Sequence, residues 1–588
     1  MNLSRVFVVL VVALTGLAPR SAKACGGFFC NNAQPVNQAA ERIIFAQNAD
    51  GTTTAVIEIL YQGPSEEFAW MLPVQGRPDI DVSSSSAFNT LQNLTDPIYR
   101  LETQVEGECF VDPNPPPMFF DAGLADQSFG AETGADPVTV VDSGSVGPFD
   151  FVIISVDLEV DNVGELAALW LSDNGYDVNE FGVDRLVPYL ESGMNLLAFR
   201  LSKGRTTGEI RPVRLSFGEG LPSIPLRPTA AAAEPDMGIL VWVLGEARAI
   251  PANYRDLELN EARINWFNYR RTYNDVITAA ANEAGGQGFV TEMAGPSAPL
   301  GEMIYTDAAQ GTLESLQSAA AVSGADHGAL LREAATAYRG WDGLLEAFRA
   351  EIPKPEGISD EEWINNTGFF LNDLIFSAEI EGFDPVSFVE RLDAEVVAPV
   401  RETAELFTVD RKTTRFYTTM SSDEMTVDPV FDFNADLPDY SREHVRTQII
   451  ECAPSVTRSE APWRVLFDDG LVVRGSGFGW PSDLDETPAN APLRRNRNEG
   501  MGEVITDNAD AIREAVQASN ANFPGPPPGP RPAVDAGPRS DAGGDFRDGD
   551  VDESTSDSDD GCSASGSGGA LTSLLLLSLF TTRRRRAA

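Results

Sequence analysis

The sequence predicts an α+β protein with a β-rich N-terminal part, a helical middle section and then a disordered stalk. Residues 42–80 contain runs rich in Thr, Val and Ile between turn residues, and residues 151–160 alternate apolar and polar side chains as strands do. From about residue 255 the apolar residues recur every three or four positions, which is the period of an amphipathic helix. Residues 523–560 are rich in Pro, Asp, Ser and Gly and contain almost no apolar side chains, so they cannot form a core.

The first 250 residues contain the signals of several strands and two helices. Asp50-Gly51 predicts a hairpin turn between a strand around Ile43 and a second strand that ends near Tyr61. Further strands are expected at 68–74, 151–160, 195–202, 212–217 and 239–244, and helices at 84–94 and 163–172. The Pro-, Gly- and Asp-rich residues 110–148 are expected to form a long loop.

The remainder of the body is expected to be helical and then mixed. Residues 330–349 predict one amphipathic helix. Ser359-x-x-Glu362 is a capping-box pattern, and Asp384-Pro385 predicts an N-cap followed by proline in the first helical turn. Strands are expected at 407–420 and 463–473 and a last helix at 507–517. The exported body, residues 25–522, is therefore divided into a β-rich part (25–250), a mainly helical part (255–400) and a mixed part (401–522).

Composition excludes several classes of function. The chain has 43 Lys and Arg against 89 Asp and Glu, a net charge of −46, which excludes a nucleic-acid partner because phosphates require cations. Only two histidines are present, His327 and His444, so most zinc sites and catalytic triads are excluded. The sequence contains no HExxH, Walker A or GxSxG motif. We therefore expect no cofactor and no metal site, assign no catalytic residue, and favour a role other than catalysis.

The N-terminus has the features of a secretory signal peptide over residues 1–24. Arg5 supplies the positive charge, residues 6–17 are apolar, and Ala22-Lys23-Ala24 is a small-x-small cleavage site. The alternatives are a buried strand or a membrane span, for which the apolar run is too short. A lipoprotein start at Cys25 is a further alternative, but Ala22 and Lys23 do not fit a lipobox.

The C-terminus, residues 562–588, is predicted to be a sorting signal. Gly561-Cys562 precedes an apolar stretch, residues 571–580, and four arginines follow: Arg583, Arg584, Arg585 and Arg586. The alternative is an ordinary transmembrane anchor, because arginines after an apolar helix stop translocation. The order of parts resembles the myxobacterial C-terminal sorting tail (MYXO-CTERM). The resemblance implies cleavage near Cys562 by an intramembrane protease and a lipid on that cysteine.

Four cysteines lie in the exported body: Cys25, Cys30, Cys109 and Cys452. An even number in an oxidising compartment favours disulfides, and three connectivities are possible. We favour Cys25–Cys30 together with Cys109–Cys452, because a short local loop closes easily and leaves the other two to pair. The alternative is that these cysteines are free, buried thiols.

The body resembles an exported bacterial domain of unknown function. The resemblance lies in Cys25-Gly26-Gly27-Phe28-Phe29-Cys30, in Glu67-Phe68-Ala69-Trp70-Met71-Leu72-Pro73-Val74 and in residues 193–201 and 210–215. It is best over residues 25–230. It implies export and a folded ectodomain, and it brings no catalytic residues.

We therefore expect an exported protein anchored at the cell surface, on the outer membrane and facing outward, with a binding or structural role in the envelope. The disordered stalk, residues 523–561, separates the body from its attachment. The alternatives are an extracellular hydrolase that uses carboxylates and a calcium-dependent adhesin. The expected partners are the export machinery, a C-terminal processing protease, and the membrane through the tail or a lipid on Cys562.

Overall fold

The computed structural model describes residues 37–62, 69–110, 139–156, 162–174, 180–202, 210–218, 220–231, 233–407 and 411–526. All of them belong to one compact unit that ends at Arg531. The predicted signal peptide, Cys25, Cys30, nearly all of the stalk and the C-terminal sorting signal lie outside these residues.

The chain forms runs of strands and a separate run of helices, which confirms the α+β prediction. The strands are β1 (Asn37–Gln47), β2 (Thr53–Gln62), β3 (Ala69–Val74), β4 (Asp79–Val82), β5 (Ile98–Glu106), β6 (Thr139–Val146), β7 (Phe149–Ser155), β8 (Asn195–Leu201), β9 (Val213–Phe217), β10 (Ala233–Gly245), β11 (Arg248–Pro251), β12 (Arg255–Leu259), β13 (Gly288–Pro296), β14 (Lys412–Met420), β15 (Phe431–Asn434), β16 (Glu443–Glu451), β17 (Pro462–Leu466), β18 (Val472–Ser476), β19 (Asn490–Arg495) and β20 (Glu503–Asp507). The helices are α1 (Ser85–Thr95), α2 (Val163–Asp173), α3 (Glu180–Glu191), α4 (Leu226–Thr229), α5 (Tyr273–Glu283), α6 (Ala298–Ile304), α7 (Asp307–Ala320), α8 (His327–Ala337), α9 (Leu344–Glu351), α10 (Asp360–Asn365), α11 (Thr367–Leu374), α12 (Pro385–Leu392), α13 (Ala398–Glu405) and α14 (Ala509–Asn520).

A ten-stranded mixed sheet forms the centre, in the order β20-β19-β12-β13-β14-β10-β1-β2-β9-β4. The pairs β1–β10 and β12–β13 are parallel, and the predicted hairpin joins β1 and β2 in antiparallel register. Successive residues of a strand point to opposite faces, so Ile43 and Phe45 enter one core while Ile44 and Ala46 enter another. Both faces of the central strands are therefore buried.

Different layers cover the two faces. The face of Ile43 packs against a four-stranded sheet, β3-β8-β7-β6, and against α2 and α3 through Trp170 and Leu186. The face of Ile44 packs against α1, α6 and α13 through Phe88, Leu300 and Val400. The second sheet also corrects one prediction: β6 lies within the expected loop 110–148 and pairs with β7, whereas residues 111–138 are outside the described part.

The mainly helical section begins later than predicted, at α6. Residues 255–296 form β12, α5 and β13, and both strands belong to the central sheet. The side chains of Leu257 on β12 and Val290 on β13 are buried in the core that α5 covers. The expected single helix 330–349 is two helices, α8 and α9. Gly340 and Gly343 separate them with φ of 81° and 79°, a conformation that ends a helix and favours glycine.

The predicted N-caps are present in this section. The Ser359 side chain accepts a hydrogen bond from the backbone N–H of Glu362, and Asp384 caps α12 with Pro385 in the first turn. Helices α7 to α12 bury their own core, which includes Leu316, Leu331 and Phe388.

A third sheet, β18-β17-β16-β5, packs against α5, β12 and β13. Its strands β5 and β16 are parallel, and a disulfide joins Cys109 to Cys452 just beyond their ends, as predicted. Trp266 is buried in the core beneath this sheet, as expected for a packing residue. Among the described residues, no helix is both long enough and apolar enough to cross a bilayer.

Candidate ligand cleft

A cleft of about 610 Å³ opens between β12, β13, the segment 434–446 and the third sheet. We call it the polar cleft because many charged side chains line it. They are four arginines, Arg248, Arg446, Arg494 and Arg497, and seven carboxyl residues, Asp256, Glu258, Glu261, Glu292, Glu443, Asp468 and Asp469. Carboxyl groups therefore outnumber guanidinium groups in the lining.

Strand β12 places two of the carboxyl groups. Leu257 and Leu259 point into the core, so Asp256 and Glu258 share the opposite face, which lines the cleft. The neighbouring strand β19 runs antiparallel, with Arg494 directly opposite Asp256. The short alternation Asp-Leu-Glu-Leu therefore produces a pair of acids with an arginine beside them.

Asp256 is the deeper of the two acids. Burial raises the pKa of its carboxyl group, and the charges of Arg248 and Arg494 and a hydrogen bond from Thr291 oppose that rise. The Thr291 hydroxyl donates to Asp256 Oδ1 at 3.2 Å. Because burial outweighs both arginines, the pKa of Asp256 lies above its ordinary value.

Glu258 lies at the mouth of the cleft, where its side chain is 55% exposed, and its Oε2 is 3.6 Å from Arg494 Nε. The cleft walls still raise the pKa of Glu258 by desolvation, while Arg494 lowers it. Water reaches this exposed side chain and solvates its charged form.

The Glu261 carboxylate is paired with side chains of the third sheet, unlike those of Asp256 and Glu258. Asn260 directly follows β12 and caps the 3₁₀ helix Glu261–Arg263. The Glu261 side chain there faces the third sheet. There Glu261 Oε1 lies 2.8 Å from His444 Nδ1 and Oε2 lies 2.8 Å from Arg446 Nη2. Both oxygens of this carboxylate are therefore engaged by cationic or hydrogen-bonding side chains.

Aromatic rings complete the walls. His444 and Tyr99 are register partners on β16 and β5 and stack with centroids 4.4 Å apart. Tyr440 is 36% exposed, with the Arg248 guanidinium 5.5 Å from its ring centroid. Burial raises the pKa of Tyr440 to about 12, so its phenol keeps its proton at neutral pH. The cleft thus offers one accessible ring beside charged donors and acceptors.

Other residues singled out from the sequence lie elsewhere. His327 follows the N-cap Asp326 of α8, and its Nδ1 accepts a hydrogen bond from the N–H of Ile380 at 2.9 Å. The Gly-rich residues 474–480 end β18 and enter a loop, and Gly475 lies against the Trp463 ring. Asp173 ends α2 and Glu180 begins α3, and residues 175–179 between them are outside the described part. No cluster of three metal-binding side chains occurs in the part of the chain that the structure describes.

Of the site residues predicted from the sequence, those that the structure describes do not line the cleft. Cys109 and Cys452 form their disulfide beyond β5 and β16, and Cys25, Cys30, Gly561, Cys562 and Arg583 to Arg586 lie outside the described residues. Sequence reasoning missed Asp256, Glu258 and Arg494, because close pairs among 89 acids carry no specificity. The available signal was the alternation of acids with leucines in the five-residue strand β12.

Residues 19–308 match the model of a bacterial family described as an uncharacterized protein conserved in bacteria (DUF2330). This agrees with the resemblance of residues 25–230 to a bacterial domain of unknown function. No curated protein and no solved structure matches the chain. The matched region includes β12 with Asp256 and Glu258, whereas Arg494 and His444 come from the chain beyond it.

Proposed function

We propose that this protein is exported, tethered at the cell surface, and binds a hydroxyl-rich ligand, such as a glycan, in the polar cleft. The observation that carries the proposal is the convergence of four arginines and seven carboxyl groups around the partly exposed Tyr440 ring. A binding site of a few converging polar groups in a concave surface is the common form of small-ligand sites.

The chemistry of the lining favours hydroxyl groups over ions. Each hydroxyl both donates and accepts, so it is satisfied by a carboxylate on one side and a guanidinium on the other. A strongly cationic ligand would face four arginines, and an anionic ligand would face seven carboxyl groups. The Tyr440 side chain is 36% exposed, and an aromatic ring beside polar groups suits the apolar part of a sugar ring.

The ends of the chain support the surface location. Residues 1–24 have the parts of a signal peptide, and residues 562–588 have the parts of a sorting tail, with Cys562 as the processing and lipid-attachment residue. The export machinery and a C-terminal protease are the partners that such ends require. The Pro-rich, acidic residues 523–561 hold the body away from an outer-membrane surface.

The test of binding is a pull-down of the full-length, naturally processed protein with insoluble chitin, cellulose and peptidoglycan and with immobilised dextran and alginate. We expect retention on at least one of them, and Tyr440→Ala is expected to weaken it at least tenfold. Glu514→Gln, on the exposed face of α14, is the matched control and should bind as the wild type does. Equal binding by Tyr440→Ala, or none by the wild type, contradicts the proposal.

The test of tethering is mass spectrometry of the surface-extracted protein with fractionation of a Cys562→Ala variant. We expect the mature wild type to lack Arg583 to Arg586 and the variant to be lost from the surface. A mature protein that retains these arginines would identify the tail as a permanent anchor.

A further inference from the structure

We propose that two copies of this protein pair through the outer edge of strand β5, so that their third sheets join into one continuous sheet. Strand β5 is the last strand of the sheet β18-β17-β16-β5, and among the described residues it pairs with β16 alone. Its other edge presents backbone groups that no described strand satisfies. An exposed edge of this kind is a template for a further extended strand. This inference does not depend on ligand binding in the polar cleft.

The hydrogen bonds of β5 show which of its backbone groups point outward. The N–H of Ile98 and the C=O of Glu106 both bond to residues at the ends of β16, at 2.8 and 2.7 Å. In a parallel pair, alternate residues direct both their N–H and their C=O to the same neighbour. The even-numbered residues of β5 therefore bond to β16. Three odd-numbered residues direct their backbone groups away from it: Leu101, Thr103 and Val105.

This outer edge is accessible and already ordered. Tyr99 is buried, whereas all five residues from Glu102 to Glu106 are exposed, and Val105 is 47% exposed. The Cys109–Cys452 disulfide lies just beyond the end of β5 and links it covalently to the chain that follows β16. Because the strand is already extended and fixed, little conformational entropy is lost when its edge pairs.

The edge is complementary to a second copy of itself in an antiparallel register centred on Thr103. In this register the outward N–H and C=O groups of Leu101, Thr103 and Val105 all find partners in the other copy. Leu101 of each copy lies opposite Val105 of the other, and Thr103 lies opposite its own equivalent. The exposed valine is therefore covered by an apolar side chain, and the two-fold symmetry makes every contact occur twice.

The charged side chains select the same register. Centred on Thr103, it places Arg100 opposite Glu106 and Glu102 opposite Gln104. A shift of the centre by one residue in either direction brings two glutamates face to face, which is unfavourable: Glu102 meets its own equivalent or meets Glu106.

The local charge of the edge also permits two copies to approach. The whole chain has a net charge of −46, which opposes self-association. At the edge of β5, however, Arg100 lies 3.4 Å from Glu102 and Arg464 of the neighbouring β17 lies 2.7 Å from Glu106. Two guanidinium groups thus balance two carboxylates there. This balance and the self-complementary register favour a second copy over an unrelated extended peptide as the occupant.

The first test is sedimentation velocity of the full-length, naturally processed protein, extracted in detergent, over a range of concentrations. We expect a dimer that dissociates on dilution. Thr103→Pro removes an outward N–H without breaking a hydrogen bond to β16, so it should keep the fold and raise the dimer dissociation constant by about tenfold or more. Thr103→Ser keeps that N–H and the hydroxyl group, and this matched control should dimerise as the wild type does.

The second test does not depend on the folding of the proline variant. Because Thr103 faces its own equivalent, Thr103→Cys should form a disulfide between two copies under mild oxidation. Thr506→Cys, on the exposed strand β20 at the edge of the central sheet, is the control and should stay uncrosslinked. A monomeric wild type, a Thr103→Pro variant that dimerises as tightly as the wild type, or Thr103→Cys without a crosslink overturns the proposal. A monomeric wild type whose Thr103 amide resists hydrogen exchange would show that another segment occupies the edge, which also overturns it.

Discussion

The carboxylate of Glu292, which lies at the inner end of the polar cleft lining, is paired more completely than the carboxyl groups of Asp256 and Glu258 in the same lining. There, at the centre of the ten-stranded sheet, Arg415 donates to Glu292 at 2.6 Å and to Asp96 at 2.7 Å, and the Tyr273 hydroxyl donates to the other oxygen of Glu292. The side chains of Arg415 and Glu292 are only 4% and 1% exposed. By contrast, Asp256 accepts one hydrogen bond, from Thr291, and Glu258 has a guanidinium no nearer than 3.6 Å.

The difference indicates that the two sets of charged residues have different roles. A buried ion pair is tolerated only when its hydrogen bonds are completed within the protein, as they are around Arg415. Carboxyl groups left incompletely paired in a concave surface cost stability, and such groups concentrate at functional sites. We therefore expect substitutions of the Arg415–Glu292 pair at the centre to affect folding and substitutions of Asp256 and Glu258 to affect ligand binding.

The largest effect is expected for Arg415→Met. It leaves the Glu292 carboxylate buried without its guanidinium, so the free energy of unfolding should fall by about 4 kcal/mol. Urea unfolding followed by tryptophan fluorescence measures this loss. A loss below about 1 kcal/mol would show that the centre does not depend on its ion pair and would remove the contrast with the cleft.

The second largest loss of stability is expected when the Cys109–Cys452 disulfide is removed. This bond links the strands that carry Tyr99 and His444. Replacing Cys109 and Cys452 together with Ser should lower the free energy of unfolding by about 3 kcal/mol, since the bond closes a loop of 343 residues. Urea unfolding of the oxidised wild type and the double variant measures this. An unchanged midpoint would show that β5 and β16 need no covalent link.

Glu41 shows what an unpaired carboxyl group costs at the sheet centre. It is 3% exposed, and burial raises its pKa from 4.5 to about 7. The folded state therefore holds a proton between those values that the unfolded state has lost, and this contribution to stability is lost as pH rises through 7. The cost above pH 7 is about 3 kcal/mol.

Glu41→Gln is expected to be more stable than the wild type at pH 8, with the difference vanishing near pH 4.5. Thermal unfolding of both proteins from pH 4.5 to 8 isolates this group from the other titrating residues. A variant less stable than the wild type at pH 8 would indicate that ionised Glu41 has a stabilising partner.

The smallest effect is expected for Arg494→Met, the cleft counterpart of the change at Arg415. Its partner Glu258 is mostly solvated, so the free energy of unfolding should change by less than about 1 kcal/mol. The same variant should bind glycans less tightly. A loss of stability comparable to that of Arg415→Met would make the cleft a structural ion-pair network.

Local patterns predicted much of the fold. Alternation predicted strands such as β7, Asp50-Gly51 predicted the first hairpin, and the Ser359 and Asp384 caps marked two helix starts, because these signals depend on neighbouring residues alone. The arrangement of strands was not predictable. The pairing of β12 with β19 joins residues more than 200 positions apart, and only tertiary contacts fix it.

The cleft could not be predicted either, because it also depends on contacts between residues that are distant in sequence. Asp256 and Glu258 are two of 89 acids, and their distinction lies in Arg494 and Tyr440, which are distant in sequence. The break between α8 and α9 was missed because Gly340 and Gly343 interrupt a helical periodicity that otherwise continues. The two glycines end the helix there although the apolar periodicity continues.

The most direct test of whether the cleft serves a ligand is the free energy of unfolding of an Asp256→Asn and Glu258→Gln double variant at pH 7.5, compared with the wild type. Burial and desolvation raise the pKa of both carboxyl groups, so their ionised forms cost stability at this pH. The account predicts a double variant as stable as the wild type or more stable. A double variant that loses more than about 2 kcal/mol would show that these carboxyl groups hold the fold together and would contradict the account.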